Sequence, residues 1–109
     1  MLPSVLVKTA IPLPMDGIAA FCNKWGITEF SLFGSVLRDD FGPDSDIDVL
    51  VAYAPNASIS LFTKVEMRDE LEKLFGRRVD LVTRRAIERA RQGARRRAIL
   101  DSARVIHGA

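Results

Sequence analysis

The sequence has little of what stabilises or anchors many small proteins, beginning with cysteine. It contains a single cysteine, Cys22, so no internal disulfide can form. We expect Cys22 to be a small buried side chain within a helix, because free cysteine is among the most buried residue types. A chain without disulfides suits a reducing compartment, and we predict a cytoplasmic location.

Long apolar runs and an excess of one charge are also missing. No apolar run reaches the roughly 18 residues that a membrane-spanning helix needs. Pro3, Pro12 and Pro14 interrupt the mildly apolar N-terminus, which therefore does not resemble a signal peptide. The net charge at pH 7 is only +2, so the total charge points to no particular class of partner.

The length and composition suit one small domain. The chain has 109 residues, of which 48% are hydrophobic, enough for a single core. The three prolines predict an arm over residues 1–14, with a short extended piece at residues 5–7. We predict one domain over residues 15–109.

Hydrophobic periodicity and turn residues predict an alternation of helices and strands. Gly26 and Gly76 are expected to end the first two long helices, and Thr83 is expected to cap the last one. The predicted order is helix 15–25, strand 28–33, a short helix from Ser35, loop 41–45, strand 46–53, helix 60–75, strand 78–82, helix 84–101 and an extended piece at 105–106. This order indicates an α/β or α+β fold with a small sheet of three or more strands.

Two aspartates open the most apolar predicted strand, at Asp46 and Asp48. Residues two apart in a strand point to the same face, with Cα atoms roughly 6–7 Å apart. Such close carboxylates repel each other unless a cation lies between them. Their oxygens are the ligands that Mg²⁺ prefers, and Mg²⁺ often adds substrate phosphates to one or two carboxylates.

A third aspartate, Asp80, lies between Val79 and Leu81 on the next predicted strand. If this strand lies beside the first one, three carboxylates converge. Three carboxylates can hold two metal ions about 3.5–4 Å apart, the spacing used for in-line phosphoryl displacement.

The dipeptide Gly34-Ser35 ends the strand before the metal-binding candidates. Glycine allows the backbone to approach a ligand closely, and the turn amides with the Ser35 hydroxyl would point at an anion. This combination predicts a phosphate site beside the metal site.

Each of these residues also has a structural explanation. Gly34-Ser35 alone is an ordinary turn signal. Asp46 could cap the start of its strand, Asp48 could pair with an arginine, and Asp80 could pair with Arg77 or Arg78. The joint occurrence of all these residues favours the functional interpretation.

The spacing Gly34-Ser35, ten residues, Asp46-x-Asp48 resembles the signature of the DNA polymerase beta-like nucleotidyltransferase superfamily. The longer stretch from residue 33 to residue 51 looks like its minimal nucleotidyltransferase (MNT) branch, in which Arg38 and Ser45 also match common positions. The resemblance covers roughly residues 15–106. It implies a small mixed β-sheet flanked by helices.

The resemblance also implies an activity, namely transfer of a nucleoside monophosphate, AMP from ATP, to an acceptor hydroxyl with two Mg²⁺ ions bound. Gly34 and Ser35 would hold the triphosphate. Arg38 would steady a phosphate, although an ion pair with Asp39 or Asp40 is an equal alternative.

For the carboxylates, the resemblance implies that Asp46 and Asp48 bind both metal ions. Asp80 would complete the second metal site and help to deprotonate the acceptor. In the MNT branch the acceptor is commonly a separate HEPN-domain toxin, so the resemblance implies an antitoxin that modifies its partner. The alternative is an antitoxin that binds nucleotide and neutralises its partner by contact alone.

A basic stretch over residues 84–97 contains seven arginines and one acidic residue, Glu88. We interpret it as a solvated face or a docking surface for an acidic partner. Nucleic-acid binding is the less favoured alternative, because no aromatic residue is interleaved for base stacking. Gly93 is expected to mark a bend in this helix.

Overall fold

The computed structural model describes residues 8–89 and 93–108. The extended piece predicted at residues 5–7 lies outside them. The described residues form α1 (Met15–Trp25), β1 (Ile27–Phe33), a 3₁₀ helix (Gly34–Leu37), β2 (Ile47–Tyr53), α2 (Leu61–Phe75), β3 (Val79–Thr83), α3 (Arg84–Arg89), α4 (Gly93–Ser102) and β4 (Arg104–Gly108).

The strands form a single mixed sheet in the order β3-β2-β1-β4. Strand β1 runs antiparallel to both of its neighbours, whereas β2 and β3 are parallel. The predicted mixed sheet flanked by helices is thereby confirmed. The extended piece predicted at 105–106 is longer than expected and pairs with β1 as an edge strand of the described sheet.

The predicted helix ends are confirmed by backbone geometry. Gly26 and Gly76 both adopt the left-handed conformation, with φ of 69° and 68°. Their amides donate to the carbonyls of Cys22 and Glu72, which would otherwise lack partners at the helix ends.

Helices cover both faces of the sheet, which explains the continuous apolar run in β2. On one face, Ile47, Val49 and Val51 are fully buried in the main core with residues of α1 and α2. Cys22 is buried in this core as predicted, and burial raises the pKa of its thiol to about 11.

On the opposite face, a second and smaller cluster joins the sheet to α3 and α4. It consists of Phe33 and Leu50 from the sheet, Ile87 from α3 and Ile99 from α4. The two aspartates of β2 and β3 belong to this same face, so α3 and α4 form the surroundings of the candidate site.

The described parts of the helix predicted over 84–101 are helical, as α3 and α4. Residues 90–92 lie outside the description, so the bend predicted at Gly93 stays a prediction. The predicted cap is confirmed, since the Ala86 amide donates to Thr83 Oγ1 at 3.2 Å.

Part of the predicted arm packs on the domain. Ile11 and Leu13 are partly buried against the main core, and the Ala10 amide donates to the Val36 carbonyl at 2.8 Å. The domain boundary at residue 15 stays a prediction. In the described ranges, no helix is long and apolar enough to cross a bilayer.

Candidate active site

Asp48 and Asp80 lie directly opposite each other in the parallel ladder of β2 and β3. Register partners in a sheet point to the same face, so the two carboxylates share one side. The Ile47 amide donates to the Arg78 carbonyl at 2.9 Å and joins the starts of the two strands. The predicted adjacency of these strands is therefore confirmed.

Asp46 stands two residues before Asp48, immediately ahead of β2, and so belongs to the same face. Asp80 is exposed on β3, an edge strand among the described strands. The start of β3 is held by Glu72, whose Oε2 accepts a hydrogen bond from the Val79 amide at 2.9 Å. The three predicted aspartates therefore lie at the adjoining starts of β2 and β3.

Gly34 lies against Asp48 because its neighbour Phe33 is the register partner of Asp48 in β1. The backbone of Gly34 has φ of 77°, a region that favours glycine. A Cβ at this position would also overlap the Asp48 carboxylate oxygen Oδ2. Both conformation and space therefore require glycine at the turn.

Ser35 follows in the 3₁₀ helix and is half-buried. Within residues 8–89 and 93–108 its hydroxyl makes no hydrogen bond, so it is available to a phosphate oxygen. Arg38 forms the predicted alternative ion pair, with Nε 3.0 Å from Asp40 Oδ1. Both side chains are exposed, and an exposed pair of this kind is weak enough to exchange for a phosphate.

The electrostatics of the site centre on Asp48. Burial, followed by the negative charges of Asp80 and Asp46, raises the pKa of Asp48 from 3.8 to about 6. The positive charges of Arg38 and Arg95 act in the opposite direction. A carboxylate in this environment gains from a bound cation.

Asp46 contains a buried oxygen that lacks a hydrogen bond in the described part of the chain, namely Oδ1. The nearest cationic atom is Arg78 Nε at 3.3 Å, but the side chain of Arg78 is 77% exposed. Such an ion pair contributes little, whereas an unsatisfied buried oxygen is costly. This oxygen is therefore well suited to a metal ion.

The donor set fits Mg²⁺ in its chemistry, because all three side chains are carboxylates. Among the residues that the structure describes, no three acidic, histidine or cysteine side chains are already gathered around a point. A metal ion bound by all three carboxylates would therefore require their side chains to come closer together.

Arg77 is a residue that the sequence interpretation missed. Pairing of Asp80 with Arg77 was one alternative that the sequence left open, but Arg77 donates to the carbonyls of Gly42 and Ser45 at 3.0 and 2.9 Å. Its guanidinium also stacks on the Phe41 ring at 4.3 Å. Because this loop leads directly into Asp46, Arg77 fixes the position of the first of the three aspartates.

A weak signal for Arg77 did exist in the sequence. The Gly42-Pro43 turn has more hydrogen-bond acceptors than donors, because proline has a carbonyl but no amide hydrogen. Such a turn favours a donor from elsewhere in the chain. The identity of the donor depended on the pairing of β2 with β3, which periodicity does not reveal.

The basic stretch divides into residues with different partners. Arg84 pairs with Glu29 at 3.0 Å. Arg85 donates to the Ala57 carbonyl at 3.1 Å and stacks on the Tyr53 ring at 4.6 Å. These two arginines stabilise the fold, so the predicted docking or nucleic-acid surface would have to come from the later arginines.

Beside Asp80 is a shallow groove that sequence reasoning did not identify. It has a volume of about 280 Å³ and runs between the start of α2 and β3. Leu61, which lines this groove, is 77% exposed, and its neighbour Phe62 at the start of α2 is 86% exposed. The groove is lined by Leu61, Lys64, Val65, Arg68, Val79, Asp80 and Leu81.

Comparison with known sequences supports the assignment of these residues to one family. The family profile described as "Nucleotidyltransferase domain" matches residues 16–106. A protein adenylyltransferase MntA from Thermococcus cleftensis is 37% identical over 66 residues. That match covers 61% of this chain and 65% of the relative, so it spans just under two thirds of the relative's length.

Comparison with solved structures agrees. The structure of a candidate minimal nucleotidyltransferase is 31% identical, with a TM-score of 0.64, and the match covers 83% of this chain and 86% of that one. A toxin–antitoxin crystal structure with AMP-PNP has a TM-score of 0.69 at 19% identity, covering 89% of this chain and 75% of that one. A complex of tri-AMPylated HEPN toxin with MNT antitoxin from Shewanella oneidensis has a TM-score of 0.61 at 18% identity, covering 87% and 70%.

The last two similarities show the fold alone, because their identity is low. The profile match spans most of the chain, and the minimal nucleotidyltransferase is similar over most of both chains. On these grounds the chain belongs to the nucleotidyltransferase domain family, in its minimal nucleotidyltransferase branch.

Proposed function

We propose that this chain is a Mg²⁺-dependent nucleotidyltransferase that transfers AMP from ATP to a hydroxyl group of a partner protein. The observation that carries the proposal is the in-register pair Asp48 and Asp80, with Asp46 on the same face. The Gly34 turn lies against Asp48, so the proposed phosphate site would adjoin the proposed metal site.

Each residue has a separate task in this proposal. Asp46 and Asp48 hold the metal ions, and the Gly34-Ser35 turn orients the triphosphate. When bound, Mg²⁺ offsets the charge of the phosphates and of the departing pyrophosphate. Asp80 accepts the acceptor proton while a bond forms between the acceptor oxygen and the α-phosphorus. The bond from the α-phosphorus to the pyrophosphate oxygen breaks in the same displacement.

The proposed acceptor is a HEPN-domain toxin, for which this chain would be the antitoxin. In support, a relative is named a protein adenylyltransferase, and one solved neighbour is an MNT antitoxin bound to an AMPylated HEPN toxin. The exposed Leu61, which lines the same groove as Asp80, and the exposed Phe62 next to it in α2 also suit a protein acceptor, since exposed apolar groups near a site often mark a protein interface.

The test is transfer of label from α-³²P-ATP to a HEPN-domain partner in the presence of Mg²⁺. We expect labelling by the wild type, its loss in Asp46→Asn, Asp48→Asn and Asp80→Asn, and its retention in the control Asp16→Asn. An unlabelled partner, or equal labelling by wild type and Asp46→Asn, would exclude the proposed transfer.

Neutralisation of the toxin by contact alone is the second candidate, supported by the same exposed apolar side chains. The triple variant with asparagine at positions 46, 48 and 80 separates the two. Full neutralisation by this variant would favour contact, and loss of neutralisation would favour modification.

A further inference from the structure

Helix α4 lies over the face of the sheet that bears the carboxylates. Ile99 of α4 packs with Phe33 and Leu50 in the smaller apolar cluster. Phe33 is the register partner of Asp48, and Leu50 is two residues beyond Asp48 on the same face. The helix is therefore anchored next to the candidate site rather than elsewhere on the sheet.

Arg95 lies one helical turn before Ile99 on α4. Residues four apart share a helix face, and long side chains lean toward the helix N-terminus. Arg96 and Arg97 line a separate concavity with Gly93, Leu100 and Asp101. Of these three consecutive arginines, Arg95 is the one that does not line that concavity.

The ion pairs of the described residues agree with this placement. Arg84, earlier in the basic stretch, is paired with Glu29. Arg95 forms no ion pair with any carboxylate in the residues described, and its side chain is exposed. The positive charge of Arg95 is thus available to a ligand that is bound at Asp48.

We propose that Arg95 binds the β- and γ-phosphates of the nucleotide and so makes the site prefer a triphosphate over a monophosphate. This inference rests on the proposed function, because it assumes that Asp46, Asp48 and Asp80 bind a nucleotide with Mg²⁺. Arginine suits the role, since its planar fork donates two parallel hydrogen bonds to phosphate oxygens.

The chemistry also explains why a further cation is needed. A bound triphosphate adds negative charge to a site that already contains three carboxylates. Asp46, Asp48 and Asp80 would hold the metal ions, whose charge would offset that of the carboxylates and of the phosphates nearest them. A further positive charge, contributed by α4, would offset the charge of the terminal phosphates.

The test compares the affinities of purified variants for α,β-methylene-ATP and for AMP, both with Mg²⁺, by calorimetry. We expect Arg95→Gln to weaken binding of the triphosphate analogue about tenfold or more and to change AMP binding less than about twofold. Arg95→Lys should fall between the wild type and Arg95→Gln. Arg96→Gln and Arg97→Gln are matched controls with the same loss of charge, and their affinities should stay within about twofold of wild type.

The possible failures are distinct. Equal affinities for wild type and Arg95→Gln, equal losses for both nucleotides, or equal losses in all three arginine variants would overturn the role of Arg95. A wild type that binds the analogue but labels no partner would overturn the proposed transfer while leaving the Arg95 result intact. A wild type that does not bind the analogue would overturn both.

Discussion

Gly34 and Asp48 are in such close contact that the turn has no space for a side chain. A Cβ at Gly34 would overlap Asp48 Oδ2, and the residue also has φ of 77°. Gly26 has a similar φ of 69°, but a Cβ there would meet nothing within 4 Å. Gly26 is therefore required only by its backbone conformation, whereas Gly34 is required by both its conformation and the lack of space for a side chain.

We expect Gly34→Ala to lower the free energy of unfolding by about 2–4 kcal/mol and to weaken Mg²⁺ binding, because Asp48 must move. Gly26→Ala should lower it by about 1 kcal/mol and leave Mg²⁺ binding unchanged. Urea denaturation and metal titration measure the two effects. Similar results for both variants would mean that contact with Asp48 is unimportant.

The raised pKa of Asp48 predicts that its charge opposes folding when no metal is bound. Because the folded-state pKa of about 6 exceeds 3.8, the folded protein binds more protons between these values, and its stability falls as pH rises through them. Above pH 6 the full cost is present. We therefore expect Asp48→Asn to stabilise the metal-free protein by about 1 kcal/mol at pH 8, after allowance for solvent screening, and by almost nothing at pH 3.5.

Denaturation in EDTA at the two pH values checks this effect, with Asp16→Asn as an exposed control. Added Mg²⁺ should stabilise the wild type at pH 8 more than it stabilises Asp48→Asn. A destabilised Asp48→Asn in EDTA at pH 8 would contradict the expectation.

The hydrogen bonds of Arg77 lead us to predict that the conformation of the 42–45 loop affects the affinity for Mg²⁺. Replacement by methionine leaves the Gly42 and Ser45 carbonyls without this donor. We expect Arg77→Met to lower the free energy of unfolding by about 1–3 kcal/mol and to weaken Mg²⁺ binding at temperatures where the variant is folded. Arg97→Met is the control, because that side chain is exposed on α4. A loss of stability with unchanged Mg²⁺ affinity would limit Arg77 to a structural role.

Because the side chain of Phe62 is exposed, we predict that its replacement affects only the binding of the acceptor protein. We expect Phe62→Ser to raise the KM for the HEPN-domain partner about tenfold, with kcat, ATP affinity and thermal stability nearly unchanged. Steady-state labelling at several partner concentrations measures the KM. An unchanged KM would exclude the exposed start of α2 at Phe62 from the acceptor surface.

Several features of this protein were determined by the sequence itself, because they depend on residues close together in the chain. Glycine at 26 and 76 ends α1 and α2 through a local dihedral preference. The shared face of Asp46 and Asp48 follows from the two-residue repeat of a strand. The spacing from Gly34-Ser35 to these aspartates was sufficient to indicate the family.

The tertiary structure decided the relationships that join distant parts of the chain. The position of Asp80 opposite Asp48 required β2 and β3 to be parallel neighbours. The redirection of Arg77 to the 42–45 loop depended on the same pairing. The pairing of β4 with β1 likewise joins segments from opposite ends of the domain. Periodicity reveals which face of an element is apolar, but neighbours in a sheet are chosen by packing and hydrogen bonding between segments far apart in the chain.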